Sequence, residues 1–430
     1  MGHRVQDRRV PLRPHGAPHE AERDRLARPA PLAPTGLEGV DGPRIYLYGE
    51  GWDFGEVENG KRGENASQAR MAGTGVGTFN DRIRDAIRGG SPFSDRRAQG
   101  FGTGLVAAPA YDGDGEDAQD RLAESTDRLR IALTGNLRDF RLVDRNGDDV
   151  RAGDVYLGGY ASTPTESIQY VSAHDNETLF DKVLFSTPPD LPLEDRIRMQ
   201  VLSLALVILA QGIPFLHAGS ELLRSKSFDA DSYRSGDWFN QLDFSGDTHG
   251  FGRGLPPAKK NADRWEILRP ILSRRDLLPS KAEILRTRDQ IEAYLRIRKG
   301  SPLFRLSGTQ SIQEATTFLD QGAAPGWIAY TLTPADGAGH PDSPARKVKS
   351  AVSAESAPPD VTRLCVVFHA HGSARELAHP ALVGRSLQLH PLLANGTDPL
   401  LTKEATHDPE RGTIRMPRWS AAVFVDSPDA

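Results

Sequence analysis

Tyr46-Leu47-Tyr48-Gly49-Glu50-Gly51-Trp52-Asp53-Phe54-Gly55 is the stretch that orders the rest of the chain. Ile45, Tyr46, Leu47 and Tyr48 form a β-branched and aromatic run stopped by Gly49, which predicts a short buried strand over Arg44–Tyr48. Glu50 then stands just past the C-terminal end of that strand. Between Gly49, Gly51 and Trp52, a carboxylate meets a ligand in a partly apolar setting suited to general-acid use. Taken singly, such a Glu is more often an ordinary strand-end carboxylate.

A second landmark follows at Ile168-Gln169-Tyr170-Val171-Ser172-Ala173-His174-Asp175-Asn176-Glu177-Thr178-Leu179. A period-two strand is predicted to deliver His174 and Asp175 together at its end, ahead of a turn into a helix. Alone, Asp175 reads more readily as a helix N-cap. The two stretches together, in this order, resemble the α-amylase superfamily of glycoside hydrolases in its pullulanase-type, debranching form. That resemblance implies a (β/α)8 barrel with Glu50 as the acid/base after the fifth strand. It implies, after the seventh, Asp175 as transition-state stabiliser and His174 as a donor to sugar hydroxyls.

The pattern continues. Gly212-Ile213-Pro214-Phe215-Leu216-His217-Ala218-Gly219-Ser220-Glu221 resembles the family's eighth strand and its exit, with Glu221 at the cleft rim. Ser232-Tyr233-Arg234-Ser235-Gly236-Asp237-Trp238-Phe239-Asn240 is close to a pullulanase-type loop. There Tyr233, Trp238 and Phe239 offer stacking faces to pyranose rings, as does Trp52, and Asp237 and Asn240 offer hydrogen bonds to hydroxyls. The alternative is an aromatic-anchored loop with no ligand contact. The resemblance runs from about Gly39 to the C-terminus.

Residues 4 to about 35 interleave arginines with prolines without apolar period, which predicts disorder; the aromatics that a nucleic-acid arm needs are absent. At the edges, Met1-Gly2-His3 resembles the tail of the family's nucleophile motif, and Gly39-Val40-Asp41-Gly42 returns to the family pattern. The resemblance therefore implies that the nucleophilic Asp lies upstream of Met1, with aberrant sequence replacing the intervening helix. An acid without its nucleophile predicts little or no hydrolysis by these residues alone. The alternative function is non-catalytic α-glucan binding. Strands five to eight of a barrel also leave open edges, which predicts self-association.

Met71-Ala72-Gly73-Thr74-Gly75-Val76-Gly77 invites a phosphate-loop reading, but no Gly-Lys-Ser/Thr ending follows. Asn80 and Asp81 suit helix N-caps, and Asp81, Arg82, Arg84, Asp85 and Arg88 predict a solvated, charge-laced helix face. Leu129, Ile131 and Leu133 alternate with Arg130 and Ala132, predicting the sixth strand before the break at Thr134-Gly135-Asn136. Asp144-Arg145-Asn146-Gly147-Asp148-Asp149 has part of a calcium-loop spacing but lacks the terminal Glu, so a polar turn is expected. Arg196–Gln211 carries a broad apolar stripe, and residues 256–300 read as helical. Beyond Leu306, apolar runs at Trp327–Leu332, Thr362–Phe368, Ser386–Leu389, Thr413–Met416 and Ala421–Val425 suit a β-sandwich, with Ala335–Asp360 as a long loop.

Three segments result: an aberrant or disordered 1–38, a partial (β/α)8 barrel over 39–306, and an all-β sandwich over 307–430. Hydrophobic residues at 38%, charged residues at 26% and a formal charge of −5 give no general affinity for nucleic acid or an anionic membrane. An α-glucan such as pullulan, amylopectin or a limit dextrin is the expected partner by resemblance. Cys365, the one cysteine, lies in an apolar run and reads as core. His369 and His371 lack a third ligand nearby and read as strand-end residues. No apolar run is long enough to span a bilayer, no secretory signal is visible, and localisation stays unassigned. The resemblance requires no cofactor; calcium as a structural ion has no assigned place.

Overall fold

A computed structural model describes residues 45–110, 115–323, 325–334 and 363–426. Expectations for residues 4–35, Met1-Gly2-His3, Gly39–Gly42 and Ala335–Asp360 lie outside them. The site-bearing part is a four-stranded parallel sheet of β1 (Tyr48–Gly49), β2 (Gly77–Asn80), β5 (Ser167–Gln169) and β6 (Ile213–Pro214), neighbours in that order. Its register is Tyr48↔Gly77, Thr78↔Ser167 and Ile168↔Ile213. Parallel strands need crossovers, and these are supplied by α1 (Asp81–Arg88), α2 (Gly115–Leu133), α3 (Leu179–Ser186) and α4 (Leu193–Leu209). A hairpin of β3 (Arg141–Val143) and β4 (Asp149–Arg151) is inserted ahead of β5.

Two strand expectations are corrected. Residues 129–133 are the last turn of α2, not a strand: Leu129, Ile131, Ala132 and Leu133 are all buried, so alternation does not divide two faces. The strand between β1 and β5 is instead Gly77–Asn80, hidden in the glycine-rich run. Glycine is needed there, since a Cβ on Gly77 would lie 1.9 Å from the Tyr46 hydroxyl. The buried strand expected over Arg44–Tyr48 is also different. Among the described residues β1 is an edge strand with β2 as its one neighbour, and Ile45, Leu47 and Tyr48 are 46%, 42% and 48% exposed.

The charge-laced face of α1 turns inward rather than to solvent. Arg82 lies 4.7 Å over the Tyr160 ring, Arg84 donates to the Tyr170 hydroxyl at 2.6 Å, and Arg88 is buried against the Val171 carbonyl. Asn80 caps α1, accepting from the Arg82 and Ile83 amides. The glycine-rich loop binds an anion from within: Glu166, itself buried, accepts from Gly73 and Gly75 amides, both at 2.8 Å. A phosphate has no free amide pair there. Asp144 accepts from the Asn146 and Asp148 amides and closes the β3–β4 turn.

Pro192 precedes α4, and Glu194 and Asp195 favour its N-terminal dipole. Its Met199, Leu202, Leu206 and Ile208 are fully buried, and even its arginines are spoken for. Arg198 meets both oxygens of Asp398 at 2.9 Å, and Arg196 donates to the Leu191 carbonyl at 3.1 Å. The helix is thus enclosed on all sides rather than along one stripe. α5 (Lys281–Gly300) opens on a Ser280/Glu283 capping box and packs on it.

Beyond α5 lie two antiparallel sheets. β7 (Thr316–Phe318), β8 (Trp327–Leu332), β9 (Arg363–His369), β11 (Leu387–Leu389) and β14 (Ser420–Asp426) form one, ordered β11-β14-β9-β8-β7. β10 (Arg375–Ala378), β12 (Thr406–Asp408) and β13 (Thr413–Met416) form the other, ordered β10-β13-β12. Every run read as a strand there is one, within a residue or two; β7, β10 and β12 are additional. Their polar residues and three- or four-residue length leave no apolar run to detect. Cys365 is fully buried in β9, where burial pushes its thiol up to about 12. Among the described residues no helix is long and apolar enough to cross a membrane.

Candidate active site

Because β1, β2, β5 and β6 are parallel, their C-terminal ends open on the same rim. Glu50 directly follows β1, and the chain turns immediately at Gly51, whose φ is +71° and whose added Cβ would lie 2.8 Å from Thr78. Glu50 is exposed, so the apolar fence expected around it is incomplete; β1 is the edge, and nothing among the described residues flanks its outer side. Trp52 is half-buried, with the Arg84 guanidinium 5.9 Å from its ring. Through Arg84 and its bond to Tyr170, Trp52 is tied to the exit of β5.

β5 ends at Gln169, so His174 and Asp175 lie on a loop five and six residues further, not at the last strand positions. Both side chains are exposed, and His174 Nδ1 lies 3.3 Å from Asp175 Oδ1. Asp175 caps no helix. That role falls to Thr178, which accepts from the Asp181 amide at 3.1 Å and starts α3. Freed from capping, Asp175 faces solvent at the rim.

The structure brings His174 and Asp175 to the 232–240 loop, whose second half is a short helix, Gly236–Asn240, but reaches Glu50 and Trp52 only through the common rim. Asp175 forms a backbone bridge with Asp231, and the Ser232 hydroxyl donates to the His174 carbonyl at 2.6 Å. Asn240 Nδ2 donates to the Ser232 carbonyl at 2.9 Å and the Gly236 carbonyl at 3.0 Å, so its amide nitrogen is spent on the loop itself. Asp237, Trp238, Asn240 and Gln241 line a shallow depression. Trp238, 60% exposed, is anchored by its Nε1 to the Arg253 carbonyl at 3.1 Å, while Tyr233 is 88% exposed. Glu221 is taken up locally, accepting from the Gly219 amide.

Four residues that sequence reading passed over hold this rim in place. Glu177 is buried among Arg96 at 2.9 Å, Arg264 and Arg88; burial alone pushes its carboxyl up, but the arginines outweigh it and hold it at about 2. Asp181 is fully buried; burial pushes it up to about 6 against bonds from Ser225 and the Lys226 and Phe228 amides. Lys226 is equally buried. His217, beyond β6, is pushed down to about 3 by burial and then by Arg224, whose Nη1 is 3.2 Å from its Nε2. It is neutral at working pH and accepts from that arginine. Only the charges of Glu177 and Asp181 near a helix start hinted at these roles. Among the described residues, no three His, Cys, Asp or Glu side chains are placed to hold a metal ion.

A parallel sheet flanked by helices, with carboxylates and exposed aromatics gathered at its C-terminal rim, defines the class, an α/β protein whose site opens at its strand ends. Residues 246–427 match the family described as alpha-1,6-glucosidases, pullulanase-type, C-terminal. The chain is 42% identical over 399 residues to Pullulanase 1, chloroplastic, of Arabidopsis thaliana, and 35% identical over 390 residues to a pullulanase of Klebsiella pneumoniae. These alignments cover 91% and 89% of the chain but 40% and 34% of the relatives, so the chain spans well under half their length. The crystal structure of the maltotriose complex of PulA from Klebsiella pneumoniae superposes with a TM-score of 0.78 at 34% identity, covering 90% of this chain and 40% of that one. PulA from Klebsiella oxytoca superposes with a TM-score of 0.76 over 90% of this chain and 36% of its own. Residues 246–427 thus match the C-terminal family of the pullulanase-type alpha-1,6-glucosidases, and the chain as a whole is similar to part of a pullulanase.

Proposed function

We propose that this chain supplies the acid/base half of a retaining α-1,6-glucan debranching site. One observation carries the reading: Glu50 and the His174–Asp175 pair leave parallel strands of one sheet at the same end. In this reading the four strands are an arc of a (β/α)8 barrel within residues 39–306, and residues 307–430 are a β-sandwich packed beside it. Glu50 protonates the glycosidic oxygen as the bond breaks and later takes a proton from the attacking water. Asp175 accepts from ring hydroxyls of the distorted glucose, and His174 donates to one. Trp52, Tyr233 and Trp238 stack on neighbouring pyranoses, while Asp237 meets their hydroxyls.

Retaining chemistry also needs a carboxylate on the opposite face of the sugar, about 5–5.5 Å from the acid. In this reading that carboxylate is the Asp of the family's nucleophile motif, of which Met1-Gly2-His3 resembles the tail. The 430 residues by themselves are therefore expected to bind α-glucan without cleaving it, and the exposed Tyr233 and Trp238 favour this non-catalytic reading of the chain on its own. Electrophoresis through amylopectin tests the function. The chain should be retarded with no reducing sugar released from pullulan, and Trp238→Ala should weaken retardation about tenfold. Migration unchanged by amylopectin would refute the reading.

The exposed Ile45 and Leu47, just ahead of β1, and Tyr48 within it support self-association through that edge. Size-exclusion chromatography should show a species larger than the monomer; elution as a stable monomer contradicts it.

A further inference from the structure

Lys226 sits in the loop after β6, fully buried, and its ammonium reaches three partners. It donates to the Asn176 carbonyl at 2.8 Å, to the His174 carbonyl at 3.4 Å and to the Ser232 hydroxyl. That hydroxyl donates in turn to the same His174 carbonyl. An ammonium has three N–H groups, so Lys226 has none left for water or ligand. The carbonyls can converge on it because Asn176 adopts a left-handed φ of 63°.

The other end of the lysine is equally fixed. The backbone amides of Lys226 and Phe228 donate to one oxygen of Asp181 at 2.8 and 3.2 Å, and Ser225 donates to the other. Ser227 and Phe228 are held at φ of 54° and 63°, an uncommon conformation for side-chain-bearing residues. Burying an ammonium is unfavourable unless its geometry is well satisfied. Here burial is combined with two strained residues and an internal carboxylate, all serving to aim one Nζ at two loops.

We propose that Lys226 is a positioning residue that locks the His174–Asn176 loop to the Ser232–Asn240 loop, so that the two present their groups as one unit. The Asp175–Asp231 backbone bridge and the Asn240 bond to the Ser232 carbonyl extend the same unit. Its importance for sugar recognition rests on the function proposed above; the coupling of the loops does not.

Lys226→Met and the milder Ser232→Ala, each in the full chain, test it by hydrogen exchange, by the ring resonances of His174 and by amylopectin retardation. Peptides spanning His174–Asn176 and Ser232–Asn240 should exchange faster together, by about tenfold, while α4 and β9 keep their protection. The His174 resonances, identified by their loss in His174→Gln, should shift, and retardation should weaken in parallel. Faster exchange in one loop alone, or wild-type protection in both, would overturn the proposal. Should Lys226→Met not fold, Ser232→Ala carries the same two outcomes. If the unaltered chain ignores amylopectin, the sugar reading fails while the exchange result still decides the coupling.

Discussion

Glu177 shows how much a buried charge depends on its surroundings. Its side chain lies two residues after Asp175, and three arginines converge on it from α1, from the loop after α1 and from the segment before α5. Glu177→Gln leaves those guanidinium groups buried with a neutral partner and should cost about 3–5 kcal/mol in denaturant unfolding at neutral pH. Its folded carboxyl is held at about 2 against 4.5 in the unfolded chain. Its stabilisation is therefore complete above pH 4.5 and is lost as pH falls through about 2. The gap between wild type and Glu177→Gln should narrow over that window. A gap independent of pH there would show that the ion cluster is not its source.

At the scale of the element, Asn80 joins two structures with one side chain. Its oxygen caps α1, and its Nδ2 donates at 2.9 Å to Gln169, the last residue of β5. Both amides are fully buried. Asn80→Ala removes the cap and orphans the Gln169 oxygen, for an expected loss of about 2–3 kcal/mol; Asn80→Ser should keep the cap and lose only the bond to Gln169. Thermal melts of the two variants should rank them in that order. Equal melting points would mean that the link to β5 matters and the cap does not. The cap was readable from Asn-Asp ahead of an amphipathic run, whereas the strand before it was not. Gly77-Thr78-Phe79-Asn80 has the glycine content of a loop, and only the Tyr46 ring lying over Gly77 explains why a strand tolerates it.

For the whole molecule, one apolar core runs from Ile83 of α1 through α4 and α5 to Val425 of β14. Polar ties cross the same boundary: Arg198 to Asp398, Arg130 of α2 to Asp320 at 2.8 Å, and the Tyr294 hydroxyl to the Ala421 carbonyl at 2.7 Å. The parallel and antiparallel sheets should therefore unfold together. Calorimetry is expected to give a single transition, and removing residues 307–430 should leave α4 without its cover and abolish cooperative melting of the remainder. Two separate transitions would show that the sheets are independent.

Local pattern sufficed for the elements whose residues carry their own signal. The longer strands of the C-terminal sheets, β8, β9 and β14, are continuous apolar runs, α5 announces its capping box, and the stretches around Glu50, His174 and Asp175 are marked by their neighbours in the chain. The resemblance that names the family rests on those same short stretches, because a site residue and its flanking turn are contiguous. Tertiary structure alone decided the rest. Residues 129–133 became helix because burial on every side removes the face that alternation requires, and the arginines of α1 turned inward because Tyr160, Tyr170 and Glu177 came to meet them. Lys226 had no local mark at all, since its partners at His174, Asn176 and Asp181 are more than forty residues away in sequence and become neighbours only when parallel strands bring their exits to one rim.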